Sequence, residues 1–158
     1  MNDELKAYFG IQAKLAAAFN FFISGMVAAL IHHKADYVAT DAISLIIDYI
    51  ITCLLIFTIT AFFVRAGLKS TKTIGILEPK NRLDSFLARR FRSPLGYGVL
   101  AGFAVAVVLS AIIAPIAYLL DIAVLPFYPY VFLKAVFCML VGAFAAISAM
   151  YAGMCKTE

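Results

Sequence analysis

Four apolar runs, residues 13–31, 42–64, 95–120 and 130–153, take up most of this 158-residue chain. Each is close to the roughly 20 residues that a helix needs to cross a hydrocarbon core about 30 Å thick. Left in water, the runs would expose more apolar surface than a soluble domain tolerates. Hydrophobic residues make up 65% of the chain and charged residues 14%, against about 45–50% and 25% in ordinary domains. The expected fold class is therefore all-α, an integral membrane protein with four transmembrane helices. The rest is a short N-terminal segment, a connection starting at His32, a basic connection from Arg65 to Pro94, and a loop holding Pro126 and Pro129. No soluble domain fits in these pieces, so residues 1–158 read as a single membrane domain. Asp3, Glu4 and the lack of a small-residue cleavage site after the first run lead to the expectation that this run is retained.

A net charge of +4 suggests nucleic acid only if the positions of the charges are ignored. Eight of the 13 Lys and Arg residues lie in the middle connection: Arg65, Lys69, Lys72, Lys80, Arg82, Arg89, Arg90 and Arg92. Lys6 and Lys14 precede or open the first run and Lys156 follows the last, which leaves only Lys34 and Lys134 for the other side. Eleven against two is a strong positive-inside bias, so both termini and the middle connection are expected in the cytoplasm. The partners this implies are membrane lipids, anionic on the cytoplasmic side, and no nucleic acid; a homodimer or a membrane partner is a further expectation. The segment "NRLDSFLARRFRSP", residues 81–94, places Leu83, Phe86, Leu87 and Phe91 on one helical face and Arg82, Arg89, Arg90 and Arg92 mostly elsewhere. Asn81 can cap its start and Pro94 end it, giving a short basic interfacial helix suited to anionic headgroups.

Shifting the chain by 86 residues lays the first two runs over the last two without a gap. Residues 12–69 against 98–155 then share seven identities, among them Ser24/Ser110, Val38/Val124 and Gly67/Gly153. Seven in 58 is what apolar composition gives by chance, and two coincidences lend the register weight. The third run carries Gly98, Gly102, Ala106, Ser110 and Ala114 at spacing four, beginning with a G-x-x-x-G. The same register in the first run holds Ala16, Asn20, Ser24 and Ala28. Small residues in an i±4 row let helix backbones approach closely. Two parallel hairpin repeats, about 12–69 and 98–155 with a connection about 70–94, are expected to pack through these faces of the first and third runs; ordinary packing of each ridge on some other helix is the alternative.

The second coincidence concerns charge inside the apolar runs. Asp48 sits in "SLIIDYIITCLLIFTI", and the residue 86 positions on is Lys134. Both lie roughly 7–11 Å below the start of their helices at 1.5 Å per residue. A lone charge in a transmembrane helix costs about 3 kcal/mol on insertion scales, so such residues usually face the bundle interior and pair. An Asp48–Lys134 ion pair is expected in the outer half of the bundle. In the alternative, Lys134 snorkels to the headgroups and Asp48 is protonated or bonds Asn20, Thr52 or Tyr49. Asn20, Asp48, Thr52, Ser110 and Lys134 form the candidate polar cluster.

The remaining features are less specific. Cys53 and Cys138 fall in apolar runs as small hydrophobes, and Cys155 lies at the membrane edge, either free or acylated. His32 and His33 lie together, with no further His to complete a metal or haem site, so neither metal nor cofactor is expected. Pro115 either kinks the third helix or breaks it beside a cavity, and Asp121 ends that helix in solvent. No nucleophile with a base, Walker loop or paired carboxylates is present, which argues against an enzyme.

With its two tandem helix hairpins, its basic middle connection and the helix ends "RAGLK" and "YAGMCK", the chain resembles the small four-helix inner-membrane proteins of bacteria whose function is uncharacterised. The resemblance implies a multi-pass protein of a bacterial inner membrane and no activity. The functional expectation from the residues is a small-solute or ion transporter or channel, with its site at the repeat interface in the outer half. The alternative is a non-catalytic subunit, scaffold or anionic-lipid-binding regulator in which Asp48 and Lys134 are a structural pair.

Overall fold

In the computed structural model the described residues are 3–71, 73, 76–119 and 123–156. They form five helices and one short ribbon: α1 (Asp3–His32), β1 (Tyr37–Ala39), α2 (Ala42–Ser70), α3 (Arg82–Phe91), α4 (Pro94–Leu119), β2 (Val124–Pro126) and α5 (Phe127–Met154). Four of them, α1, α2, α4 and α5, are long and apolar enough to cross a membrane. At 1.5 Å per residue the 30 residues of α1 extend about 45 Å, more than the hydrocarbon thickness. Large apolar side chains such as Phe22, Phe63, Leu119 and Phe132 stand exposed around the bundle, an exterior that suits hydrocarbon better than water.

Local sequence explains the helix ends. The Asp41 side chain caps α2 by accepting from Ser44 N–H at 3.1 Å and from the Ser44 hydroxyl at 2.7 Å. These bonds, the hydroxyl first, hold the Asp41 carboxyl below its ordinary value. The cap is therefore present above the ordinary carboxylate range and lost as pH falls through the lowered value. Asn81 caps α3 through Asp84 N–H at 2.8 Å. Pro94 begins α4, where its missing N–H costs nothing, while α3 already ends at Phe91. Pro115 neither breaks α4 nor ends it, since the helix continues to Leu119. Asp121 lies outside the described residues, as does the side chain of Ala114.

The packing pattern departs from the sequence expectation in one respect. Among the described residues, α1 and α4 are not a packed pair; α1 packs on α5, α4 packs on α2, and α2 and α5 pack on each other between them. Nor does α1 pack on α2 or α4 on α5, so neither sequential hairpin is closed on itself. The small-residue ridges explain why. A Cβ at Gly98 would overlap the backbone of Thr58, and one at Gly102 would lie 2.8 Å from the Cys53 carbonyl oxygen, so the α4 ridge is spent on α2, with Ala106 fully buried. The α1 ridge is spent on α5: Asn20 fills the space over Gly142, and a Cβ at Gly25 would lie 3.2 Å from that of Ala135. Ala28 is buried, whereas Ala16 and Ser24 are partly exposed. A ridge of small residues fixes how closely a neighbour comes but not which neighbour it is.

At one end of the bundle β1 and β2 pair antiparallel, Val38 opposite Leu125 and Ala39 opposite Val124. Thr40 N–H continues the ladder to the Ala123 carbonyl at 2.9 Å. At the other end α3 docks on α4 and α5. Ala88 and Phe91 face the bundle, with Phe91 edge-on to Tyr97, while Leu83 and Phe86 are exposed, so the apolar face expected for this helix is split between bundle and surroundings. Tyr151 donates to Asp84 at 3.1 Å, and Leu77 bridges to Cys155, pinning the connection to the end of α5. Cys155 is buried there, and burial raises its thiol above the ordinary value, both of which disfavour acylation.

Candidate functional site

Asp48 lies about 9 Å into α2 and Lys134 about 10 Å into α5, counted from the ribbon end at 1.5 Å per residue. The packing of α2 on α5 brings the two side chains together. Lys134 Nζ donates to Asp48 Oδ2 and, at 2.7 Å, to the Thr52 hydroxyl one turn further along α2. The ammonium also stands about 6.0 Å from the Tyr49 ring centre and 5.9 Å from that of Phe137, and these two rings pack at 4.6 Å. Lys134 is thus enclosed by a carboxylate, a hydroxyl and two aromatic faces, and its side chain is only 11% exposed. Asp48 is 33% exposed, and its second oxygen, Oδ1, accepts no hydrogen bond among the described residues. The pair therefore turns its carboxylate side outward and its ammonium inward.

What the carboxylate faces follows from the open hairpin. Because α1 and α2 do not pack on each other, they leave a groove of about 780 Å³ between them, with α5 as its floor. Two rows at spacing four line it: Gln12, Ala16, Asn20, Ser24, Ala28 and His32 on α1, and Asp48, Thr52, Ile56, Thr60 and Val64 on α2. The walls beside these rows are apolar, with Phe19, Ile23, Leu55 and Ile59 among them. The groove runs from the charged pair at the ribbon end to Tyr8 and Gly67 near the basic end. From Asp48 to Gly67 this is about 28 Å along α2. His32 stands at the ribbon-end rim, its ring 5.2 Å from that of Tyr130. On the far side of the pair lies a smaller cavity of about 180 Å³, bounded by Thr40, Tyr49, Ile113, Leu125 and Phe137. Asp48, Lys134 and Tyr130 line both spaces.

Of the five residues in the polar cluster expected from sequence, three meet: Asp48, Thr52 and Lys134. Asn20 lines the groove further along, donating to the Ala16 carbonyl at 2.8 Å. Ser110 is buried in α4 and lines neither space, and its hydroxyl has no partner among the described residues. Arg82, Arg89, Arg90 and Arg92 are exposed on or just after α3, with Arg90 over the Phe86 ring at 5.4 Å. Sequence reasoning did not single out Phe137 or Tyr130 as site residues, nor His32 and Gln12 as continuations of the α1 row. Phe137 stands three residues after Lys134 on the same face of α5, and Gln12 and His32 extend the spacing-four row by one step at either end. Comparison with protein-family models, curated proteins and solved structures finds no match for the chain.

Proposed function

We propose that the chain is a multi-pass membrane protein that moves a membrane amphiphile along the groove between α1 and α2. This narrows the transport reading from a small solute or ion to a molecule with a polar head and an apolar tail. One observation carries it: a laterally open groove of about 780 Å³ that starts at a charged pair and continues past the middle of the bundle. Its volume falls within the 300–1,000 Å³ common for ligand sites. Its length of about 28 Å is nearly the full hydrocarbon thickness, whereas the chain of a lipid resting in one leaflet spans about half of it. Thr52, Ser24, Asn20, Thr60 and Gln12 offer hydroxyls and amides along the way, so a polar head need not be fully desolvated in transit. The open side lets the tail remain in lipid.

The reading includes two equivalent halves related by the 86-residue shift. It is supported by the exchange of partners, since α1 on α5 becomes α4 on α2 under that shift, and by the ribbon, in which Val38 opposite Leu125 becomes Val124 opposite Ala39. Asp48 and Lys134 then sit on the axis between the halves. The charge bias orients the basic end toward the cytoplasm. The test is lipid exchange between leaflets of reconstituted vesicles, followed by chemical quenching of a headgroup fluorophore. The protein is expected to accelerate exchange at least several-fold over protein-free vesicles, and Leu55→Trp, which narrows the groove midway along α2, to remove most of that gain. Rates equal to protein-free vesicles would contradict the proposal.

A second role is favoured by α3. Four exposed arginines, three on α3 and Arg92 just after it, match an anionic leaflet at the basic end, at about 1 kcal/mol per basic residue. Replacing Arg82, Arg89, Arg90 and Arg92 together by Gln is expected to lower the anionic lipid retained at low salt, with little effect at high salt, measured on the purified protein.

A further inference from the structure

We infer that the head bound at Asp48 is zwitterionic and carries a protonated amine with N–H donors, the chemistry of an ethanolamine phospholipid. The inference rests on the groove reading above and assigns its ligand class. Three features of the pair lead to it. The first is hydrogen-bonding capacity: Oδ2 of Asp48 is taken by Lys134, while Oδ1 accepts nothing among the described residues, and Asp48 lines the groove. A carboxylate oxygen that accepts nothing, on a residue that lines the groove, calls for a donor, and an ammonium supplies the strongest one. The second is exposure: Lys134 is shielded by Tyr49, Phe137 and Thr52, so an approaching head meets the carboxylate first. A purely anionic head would have to pass the more exposed carboxylate to reach an ammonium whose donors are already engaged by Asp48 and Thr52.

The third is net charge. Asp48 and Lys134 cancel, so a cationic amphiphile would leave one uncompensated positive charge at this depth, which is unfavourable away from water. An ethanolamine lipid brings its own phosphate and keeps the site neutral. With the ammonium at Oδ1, the phosphate belongs on the rim side, where His32 and Tyr130, both side chains with a donor, line the groove. A choline head has the same charges but no N–H, and so leaves Oδ1 without a donor.

The experiment uses the unaltered protein, so it does not depend on a variant folding. Delipidated protein in a neutral detergent is incubated separately with phosphatidylethanolamine, its N-monomethyl and N,N-dimethyl derivatives, phosphatidylcholine and phosphatidylglycerol of one chain composition. Retained lipid is counted by native mass spectrometry. Phosphatidylethanolamine is expected to be retained at least roughly tenfold better than phosphatidylcholine or phosphatidylglycerol, the worth of a hydrogen bond to a charged group. The fall along the methyl series should be steepest where the last N–H is lost. Equal retention of all five would overturn the headgroup inference while leaving the groove reading intact, and retention of none would overturn both. Preference for phosphatidylglycerol would overturn the assignment of the outward face to Asp48.

Discussion

Replacing Lys134 by methionine is expected to destabilise the protein by about 3 kcal/mol, read as a lowered Tm in detergent. Methionine keeps the length of the side chain but leaves Asp48 charged, partly buried and without a counterion, the situation that costs most. Asp48→Leu should cost a similar amount by stranding the ammonium between Tyr49 and Phe137. The double variant Asp48→Leu, Lys134→Met is expected to lie within about 1 kcal/mol of the parent, because a well-packed apolar replacement of a buried pair is often neutral. Losses that simply add in the double variant would mean that the two residues do not act on each other. The same double variant removes the proposed head site, so it should fold yet lose lipid exchange. Stability and function part company at this pair.

A comparable loss is expected at Gly98, and a matched control separates packing from helix propensity. Gly98→Ala is expected to destabilise by about 1–3 kcal/mol, and Gly98→Leu to prevent assembly of α4 on α2, because the new Cβ meets the backbone of Thr58 rather than a movable side chain. Gly67→Ala meets nothing within 4 Å, so it should be neutral or stabilise by up to about 1 kcal/mol through helix propensity alone. Thermal unfolding of the two variants side by side checks both. A Gly98→Ala protein as stable as Gly67→Ala would remove the close α2–α4 approach from the account.

How much of this was legible in the sequence depends on how local each signal is. The four long helices follow from run length and composition, and the Asp48–Lys134 contact from the cost of an unpaired charge together with the 86-residue register. The partners of the ridges were not legible. Spacing four at Gly98 and Gly102 says that some backbone comes close, while the choice of α2 over α1 depends on how all four helices pack, which no single helix encodes. The groove was hidden for the same reason: it exists because α1 and α2, adjacent in the chain, do not pack, and short connections ordinarily suggest the opposite. The ribbon rests on three residues per strand, too few for an alternating pattern to show. Phe137 looked like further apolar content, and Tyr49 like an alternative hydrogen-bond partner for Asp48, until the fold wrapped both around an ammonium.

Transport along the groove requires that lipid occupy it rather than only the outside of the bundle. The most direct measurement places a photoreactive amino acid at Ile59, inside the groove, or at Leu140, exposed on α5 outside it. Each protein is transferred to detergent, washed, illuminated and analysed for lipid adducts by mass. Detergent exchanges freely on the outside of the bundle, whereas lipid held in the groove is retained, so lipid adducts are expected at Ile59 and detergent adducts at Leu140. Detergent adducts at both positions would contradict transport along the groove.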